Sequence, residues 1–114
     1  MSNTSAHTLT RLTDHDRRTR ILRAIVGYRP GKDSLGASLK TAIRRYDAET
    51  SFDGLDGLPE GIFATPDGGF EAVGSLYLKF PDGNPAESAR AIIRGRFNGE
   101  EVVIDTIIPR MPNP

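Results

Sequence analysis

The spacing of apolar residues changes once along this chain, from a helical to an alternating pattern, and this change dictates the class of fold. Early in the chain, Leu35, Leu39 and Ile43 recur at intervals of four residues, which is typical of the buried face of a helix. Later, between Phe70 and Phe80, apolar and polar residues mostly alternate, which predicts a half-buried β-strand. The chain therefore predicts an α+β protein in which helices precede the sheet.

Two helices are predicted in the first part of the chain. The first begins at Thr13, whose hydroxyl can accept a hydrogen bond from the first turn, and ends at Gly27. The second begins at Asp33 or Ser34 and ends near Tyr46. Each helix carries an apolar stripe on one side and several basic residues on the other.

Four consecutive strands are predicted after the helices. The segment from Asp47 to Gly61 is rich in Asp and Gly and is predicted to be a loop, after which a short strand begins. The last two strands flank Asn98-Gly99, a strong hairpin signal. The predicted fold is a four-stranded antiparallel β meander with the two N-terminal helices packed on one face.

The register of the last hairpin follows if this Asn-Gly pair forms a two-residue turn. Ile93 then faces Ile104, and the apolar side of the hairpin is expected to face the helices. In the last strand, the residues on that side are Val102, Ile104, Thr106 and Ile108. Ion pairs of structural importance are expected on the opposite side, namely Arg96 with Glu101 and Arg94 with Asp105.

The 114 residues, at 12.4 kDa, correspond to one domain. Residues 1–10 are small and polar and are predicted to be a disordered lead-in. The α+β domain is predicted over residues 11–108. Residues 109–114 are rich in proline, which cannot continue a ladder, and are predicted to form an extended tail.

Composition excludes several classes of function. There is no cysteine, which excludes disulfides, thiol catalysis and cysteine-based zinc sites. With only two histidines, no metal site is predicted, and no cofactor motif occurs. Apolar runs are at most three residues long, so no membrane association is predicted, and a cytoplasmic location is expected.

The fifteen basic and fifteen acidic residues cancel, but the two signs occupy different parts of the chain. From Arg11 to Arg45 there are 10 basic and 3 acidic residues, whereas from Tyr46 to Pro114 there are 5 basic and 12 acidic ones. Such asymmetry is typical of chains that bind an acidic partner. The alternative is that the two halves neutralise each other where they pack together.

The basic faces of the two helices are the candidate partner-binding surface. At 100° per residue, these side chains point away from the apolar stripes or flank them, where they could contact phosphates or carboxylates. An ordinary solvated helix surface is the alternative interpretation. The predicted binding residues are Arg17, Arg20, Arg23, Lys40, Arg44 and Arg45.

Arg18 differs from these residues because it lies on the same side of the first helix as the apolar stripe, with His15 one turn before it. Such an arginine reaches around the edge of the core, pairs with a carboxylate of the sheet, or lines a groove. His15 and Arg18 are therefore a candidate groove. General acid–base catalysis needs a second titratable partner, which the sequence does not identify, so no catalytic residue is predicted.

In element order alone, two helices followed by an antiparallel sheet resemble the barnase-type ribonucleases and toxin nucleases. Cystatin-like and winged-helix folds fit the same order, and element order by itself does not determine function. The favoured hypothesis is a non-enzymatic binding protein whose basic helices dock on an acidic protein or nucleic acid. Two alternatives are a metal-independent ribonuclease that uses His15, Arg18 and arginines of the sheet, and a homo-oligomeric structural or inhibitory subunit that pairs through an edge strand.

Overall fold

The computed structural model describes residues 9–110. The predicted lead-in and tail fall largely on residues 1–8 and 111–114, which lie outside this part of the chain. Within it, both predicted boundaries are wrong, because Thr10 already pairs in a strand and Pro109 and Arg110 still continue the last strand, opposite Ala91 and Arg90. In chain order the elements are β1 (Thr10–Arg11), α1 (His15–Gly27), α2 (Ser34–Tyr46), β2 (Ser51–Ala64), β3 (Phe70–Lys79), β4 (Ala89–Asn98) and β5 (Glu101–Arg110). None of the helices within residues 9–110 is long and apolar enough to cross a bilayer.

The strands form one antiparallel sheet in the order β1-β2-β3-β4-β5, which confirms the α+β class and the meander of consecutive strands. Within residues 9–110 the sheet has five strands and not four. The additional strand is β1, in which Thr10 and Arg11 pair with Ala64 and Phe63 of β2. Two residues are too few to show a periodicity, so this strand could not be predicted from the sequence.

The predicted loop from Asp47 to Gly61 is correct only over residues 47–50, because β2 already begins at Ser51 and runs for 14 residues. Its Asp and Gly residues are tolerated because pairing with β3 outweighs their low strand propensity. The irregularities are confined to two register shifts, one at Asp53 and one between Gly57 and Ile62. Bulges of this kind bend a strand locally and increase its twist.

Aspartates begin both helices. The carboxylate of Asp14 accepts a hydrogen bond from the Arg17 backbone N–H at 3.1 Å, so Asp14 and not Thr13 caps α1. Asp33 caps α2 in the same way, through the Gly36 N–H at 2.9 Å. Gly36 is itself required, because a Cβ there would lie 2.3 Å from the carbonyl oxygen of Gly31.

Both helices lie on one face of the sheet, the inner face, and bury their apolar stripes against it. Ile21 and Ile25 of α1 and Leu39 and Ile43 of α2 are at most 2% exposed. Both helices approach β2 and β5, which are separated by two strands, so the sheet must curve around them. The two helices, the inner face of the sheet and this curvature together enclose a single core.

The two helices cover opposite ends of the sheet. At one end, α1 contacts the turn between β4 and β5, where Arg20 bonds Glu100. At the other end, the Tyr46 hydroxyl of α2 donates a hydrogen bond to the carboxylate of Glu87, just before β4.

The β4–β5 hairpin corrects the predicted register. Its turn residues are Gly99 and Glu100, because Asn98 pairs with Glu101. Gly99 has φ +66°, the left-handed conformation that a type II′ turn requires at its first position. Asp105 is then an extra residue in β5, since Gly95 pairs with Ile104 and Arg94 pairs with Thr106.

This bulge changes which residues of β5 face the core. The displaced turn shifts the pairing by two residues and the bulge shifts it by one more, so Ile93 pairs with Ile107 and not with Ile104. Ile107 is buried, whereas Thr106 and Ile108 face away from the helices. Before the bulge the prediction was correct, because Val102 and Ile104 pack against the core.

The predicted ion pairs of the hairpin are also wrong. Arg94 Nε lies 2.7 Å from the Glu71 carboxylate on β3, and Arg96 Nε lies 3.6 Å from Asp105. The register is the physical reason. Arg94 lies directly opposite Glu71 in the β3–β4 ladder, and Arg96 pairs with Val103 and not with Glu101, which makes Asp105 its diagonal neighbour.

Candidate functional site

The arginines of α1 are largely occupied by contacts within the molecule. Arg20 is the clearest case, with its guanidinium 3.0 Å from the carboxylate of Asp16 and 3.1 Å from that of Glu100. The hydrogen bond to Glu100, followed by the charge of Asp16, raises the pKa of Arg20 above its ordinary value. Arg20 therefore contributes to the attachment of α1 to the β4–β5 turn and offers little charge to a partner.

Arg17 contacts an aromatic ring. Its guanidinium carbon lies 5.1 Å from the centre of the Phe97 ring, within the range of a cation–π interaction. The ring in turn packs edge-on against Phe70, at 6.2 Å between centroids. Arg17 thus covers an edge of the core while remaining exposed.

The two predicted groove residues, His15 and Arg18, lie in different surroundings. Arg18 is half-buried and donates a hydrogen bond to the backbone carbonyl of Pro59 at 2.8 Å. It lines a cleft of about 380 Å³ whose other lining residues are Arg11, Leu12, Thr13, Pro59 and Glu60. His15 is exposed and does not line this cleft, so the structure does not place these two residues in a common site.

The remaining four candidates are exposed and carry free charge. Within residues 9–110, none of their side chains forms an ion pair or a hydrogen bond to another residue. Arg23 stands alone among them on α1. The other three, Lys40, Arg44 and Arg45, lie within two turns of α2, and we call them the α2 basic surface.

A cleft of about 420 Å³ adjoins the α2 basic surface, between α2 and the beginning of β2. Lys40 and Arg44 stand one helical turn apart in its lining, and Thr50 and Ser51 line it from the turn before β2 and from the first residue of β2. Its volume lies within the usual range for ligand pockets. The full set of lining residues is Pro30, Lys40, Ile43, Arg44, Thr50, Ser51 and Phe52.

The turn between α2 and β2 fixes the shape of this cleft. The Asp47 N–H donates to the Ile43 carbonyl at 2.9 Å, which ends the helix. Both the backbone N–H and the hydroxyl of Thr50 then donate to the Asp47 carbonyl, at 3.1 and 3.0 Å. The chain therefore reverses tightly and brings Ser51 beside the last turn of α2.

An aromatic pair supports the apolar wall of the cleft. The ring of Tyr28 packs edge-on against Phe52, with 6.1 Å between centroids. The Tyr28 hydroxyl is buried and has no hydrogen-bond partner within residues 9–110. Burial, with a smaller contribution from Asp33, raises the pKa of this hydroxyl.

The carboxylates of the sheet do not neutralise the α2 basic surface. Four ion pairs occur within residues 9–110, and only the one between Arg20 and Glu100 joins a helix to the sheet layer. In the same part of the chain, no group of three or more His, Asp or Glu side chains is arranged to hold a metal ion. Cations on a solvated surface and an adjoining partly apolar cleft are suited to binding an anionic group.

The sequence did not identify the residues of the cleft other than Lys40 and Arg44. Thr50, Ser51 and Phe52 lie in a segment whose composition is typical of a loop, and only the observed start of β2 places them opposite α2.

Comparison with known proteins identifies no relative of this chain. No family model matches it, and no curated protein or solved structure matches it.

Proposed function

We propose that this chain is a small binding domain without catalytic activity, and that it docks on an acidic partner through the α2 basic surface. One observation carries the proposal. Lys40 and Arg44 lie in the lining of an open cleft, and neither is in ion-pair contact with a carboxylate of residues 9–110. Cations arranged in this way can attract and orient an anion without first breaking a contact of their own.

An acidic protein segment fits this site better than a nucleic acid does. Continuous binding of a phosphate backbone requires several free cations along one surface, whereas Arg18 and Arg20 of α1 are already engaged. The cleft also has an apolar wall, formed by Phe52 and Ile43. A peptide with carboxylates on either side of one apolar side chain would satisfy both features, since the apolar group enters the cleft while the carboxylates meet Lys40 and Arg44.

The contribution of each exposed ion pair should be small, about 1 kcal/mol or less, and sensitive to salt. The proposal therefore requires that affinity come from the apolar side chain and the two cations together. It also requires that added salt weaken the complex mainly by slowing association.

The test is an NMR titration with a glutamate-rich peptide that carries a single leucine. Backbone signals of α2 and of Ser51 and Phe52 should shift, and a matched peptide with glutamine in place of glutamate should produce no shift. The variant Lys40→Glu/Arg44→Glu should lose the response. Arg23→Glu is the matched control, because it reverses a charge on α1 that is also exposed and should leave the response intact.

Unchanged peptide binding by Lys40→Glu/Arg44→Glu would refute the proposal. If single-stranded RNA shifted the same signals and the peptide did not, the partner would belong to the nucleic acids. The ribonuclease alternative has less support, because His15 does not line the cleft that Arg18 lines. The cytoplasmic location stays a prediction.

A further inference from the structure

The last strand, β5, forms an edge of the sheet along all ten of its residues. Apart from its ladder with β4, its backbone makes no hydrogen bond to any residue between 9 and 110. The strand is rich in β-branched residues, including Val102, Val103 and Ile104. A long, apolar edge strand is a template on which another strand can pair.

The register shows which backbone groups point to the free edge. Asn98 and Glu101 close a two-residue turn and are therefore a hydrogen-bonded pair, so the alternation of the ladder directs the N–H and C=O of Val102 and Ile104 outwards. Beyond the bulge at Asp105, the outward positions become Ile107 and Pro109. Pro109, which has no N–H, thus occupies a position where β4 needs no donor.

The same bulge makes β5 complementary to itself. On the face of the sheet away from the helices, the outer face, β5 presents Glu101 and Val103 before the bulge and Ile108 and Arg110 after it. In an antiparallel pair of two copies centred between residues 105 and 106, Glu101 meets Arg110 of the second copy, and Val103 meets Ile108. Without the extra residue at Asp105, the two members of each pair would lie on opposite faces of the sheet and could not meet.

We propose that a second copy of this chain pairs with β5 in this register and extends the sheet across a two-fold axis. Ile104 of each copy then exchanges backbone hydrogen bonds with Ile107 of the other copy at the free edge, and these two side chains continue the inner face across the contact. Such a contact is isologous and closes as a dimer. This inference is independent of the proposed function, because the cleft beside the α2 basic surface lies against β2.

The charges of β5 support this register. Arg110 lies directly opposite Arg90 on β4, an unfavourable pairing of like charges. Within residues 9–110, neither of these arginines is in ion-pair contact with a carboxylate, and Glu101 has no basic partner. In the dimer, each Glu101 neutralises the Arg110 that it meets, at both ends of the contact.

Sedimentation velocity across about two decades of protein concentration tests the inference. The unsubstituted chain should form dimers, and Glu101→Arg and Arg110→Glu should each weaken dimerisation by about tenfold or more, because each places like charges at both ends of the contact. Glu49→Arg is the matched control, since it reverses an exposed acid away from β5 and should leave the dimer intact. Thermal unfolding of each variant checks that the fold is retained.

A mixture of the two weakened variants decides the register. The Glu101→Arg variant carries arginine at positions 101 and 110, and the Arg110→Glu variant carries glutamate at both. Their mixture should therefore form a heterodimer about as stable as the original dimer. A chain that stays monomeric at every concentration would overturn the inference. So would a dimer that is insensitive to both substitutions, or a mixture that associates no better than its components.

Discussion

The two helices have the same length, 13 residues each, lie on the same face of the sheet and carry similar basic side chains, yet their charges are used differently. In α1, Asp16 and Glu100 neutralise Arg20, and Arg17 and Arg18 contact other groups of the molecule. In α2, no acidic residue lies between Asp33 and Asp47, and the α2 basic surface stays free within residues 9–110. The number of cations on a helix thus says less about binding than the positions of the nearest carboxylates.

The largest predicted effect tests whether the two helices contribute equally to the core. Ile25→Ala in α1 and Ile43→Ala in α2 should each lower the free energy of unfolding by about 2–5 kcal/mol, because both side chains are fully buried and would leave cavities. Chemical denaturation measures both values. Val26→Ala is the control, since Val26 is 53% exposed and its loss should have little effect. A loss below about 1 kcal/mol in one helix only would show that this helix is peripheral to the core.

The next prediction uses one glycine from each helix. Gly36→Ala should lower the free energy of unfolding by about 1–3 kcal/mol, because its Cβ would collide with the carbonyl oxygen of Gly31 and force the first turn of α2 apart. Gly27→Ala, at the end of α1, should be neutral or stabilising, since no atom lies within 4 Å of the added Cβ. Thermal unfolding compares the two variants. Equal stability would mean that α2 does not begin against Gly31 in solution.

A smaller effect on thermal stability distinguishes Arg20, which forms ion pairs, from Arg44, which forms none within residues 9–110. Arg20→Gln should lower the melting temperature slightly, because it removes contacts to Asp16 and Glu100, and high salt should reduce the difference from the unsubstituted chain. Arg44→Gln should leave the melting temperature unchanged, since Arg44 has no such contact within residues 9–110. The reverse order would contradict the division of charges between α1 and α2.

The smallest predicted effect concerns Tyr28, the residue that follows α1. Because burial raises the pKa of Tyr28 in the folded state above its unfolded value of 10.0, the unfolded chain releases this proton first. The associated stability is therefore fully present below pH 10 and is lost as the pH rises through the folded pKa. Tyr28→Phe should remove this part of the decline in stability at alkaline pH.

Tyr28→Phe should also be neutral or slightly stabilising near neutral pH, because it replaces a buried hydroxyl that has no partner within residues 9–110. Denaturation at several pH values measures both effects, and an identical alkaline decline in the variant would contradict the assignment.

The sequence was sufficient for the helices and their buried stripes, because Leu39 and Ile43 repeat at the helical period and no tertiary contact is needed to see it. The bulge at Asp105 was missed. Its local signal was Gly95, a glycine inside a strand, where a Cβ would lie 2.2 Å from the Val103 carbonyl oxygen. The position of Asp105 itself depends on the pairing of β4 with β5, and nothing in the local sequence specifies it.

Part of the candidate site could likewise be predicted from the sequence, and part of it could not. Lys40 and Arg44 could be predicted from the helical wheel, because their exposure follows from the positions of the apolar residues in α2. The engagement of Arg20 by Glu100 could not, since 80 residues separate the two in the chain. The cleft wall at Phe52 likewise depends on where β2 begins, which pairing with β3 determines.

The curvature of the sheet has a consequence for the order in which the molecule is made. Both helices approach β2 and also β5, the last of the strands to emerge during synthesis. On the ribosome, the apolar faces of the helices that contain Ile21 and Leu39 are synthesised well before β5, the last strand that they contact. The packing of both helices against β5 can therefore be completed only after synthesis has passed Arg110, and until then the parts of these apolar stripes that β5 covers stay exposed to solvent.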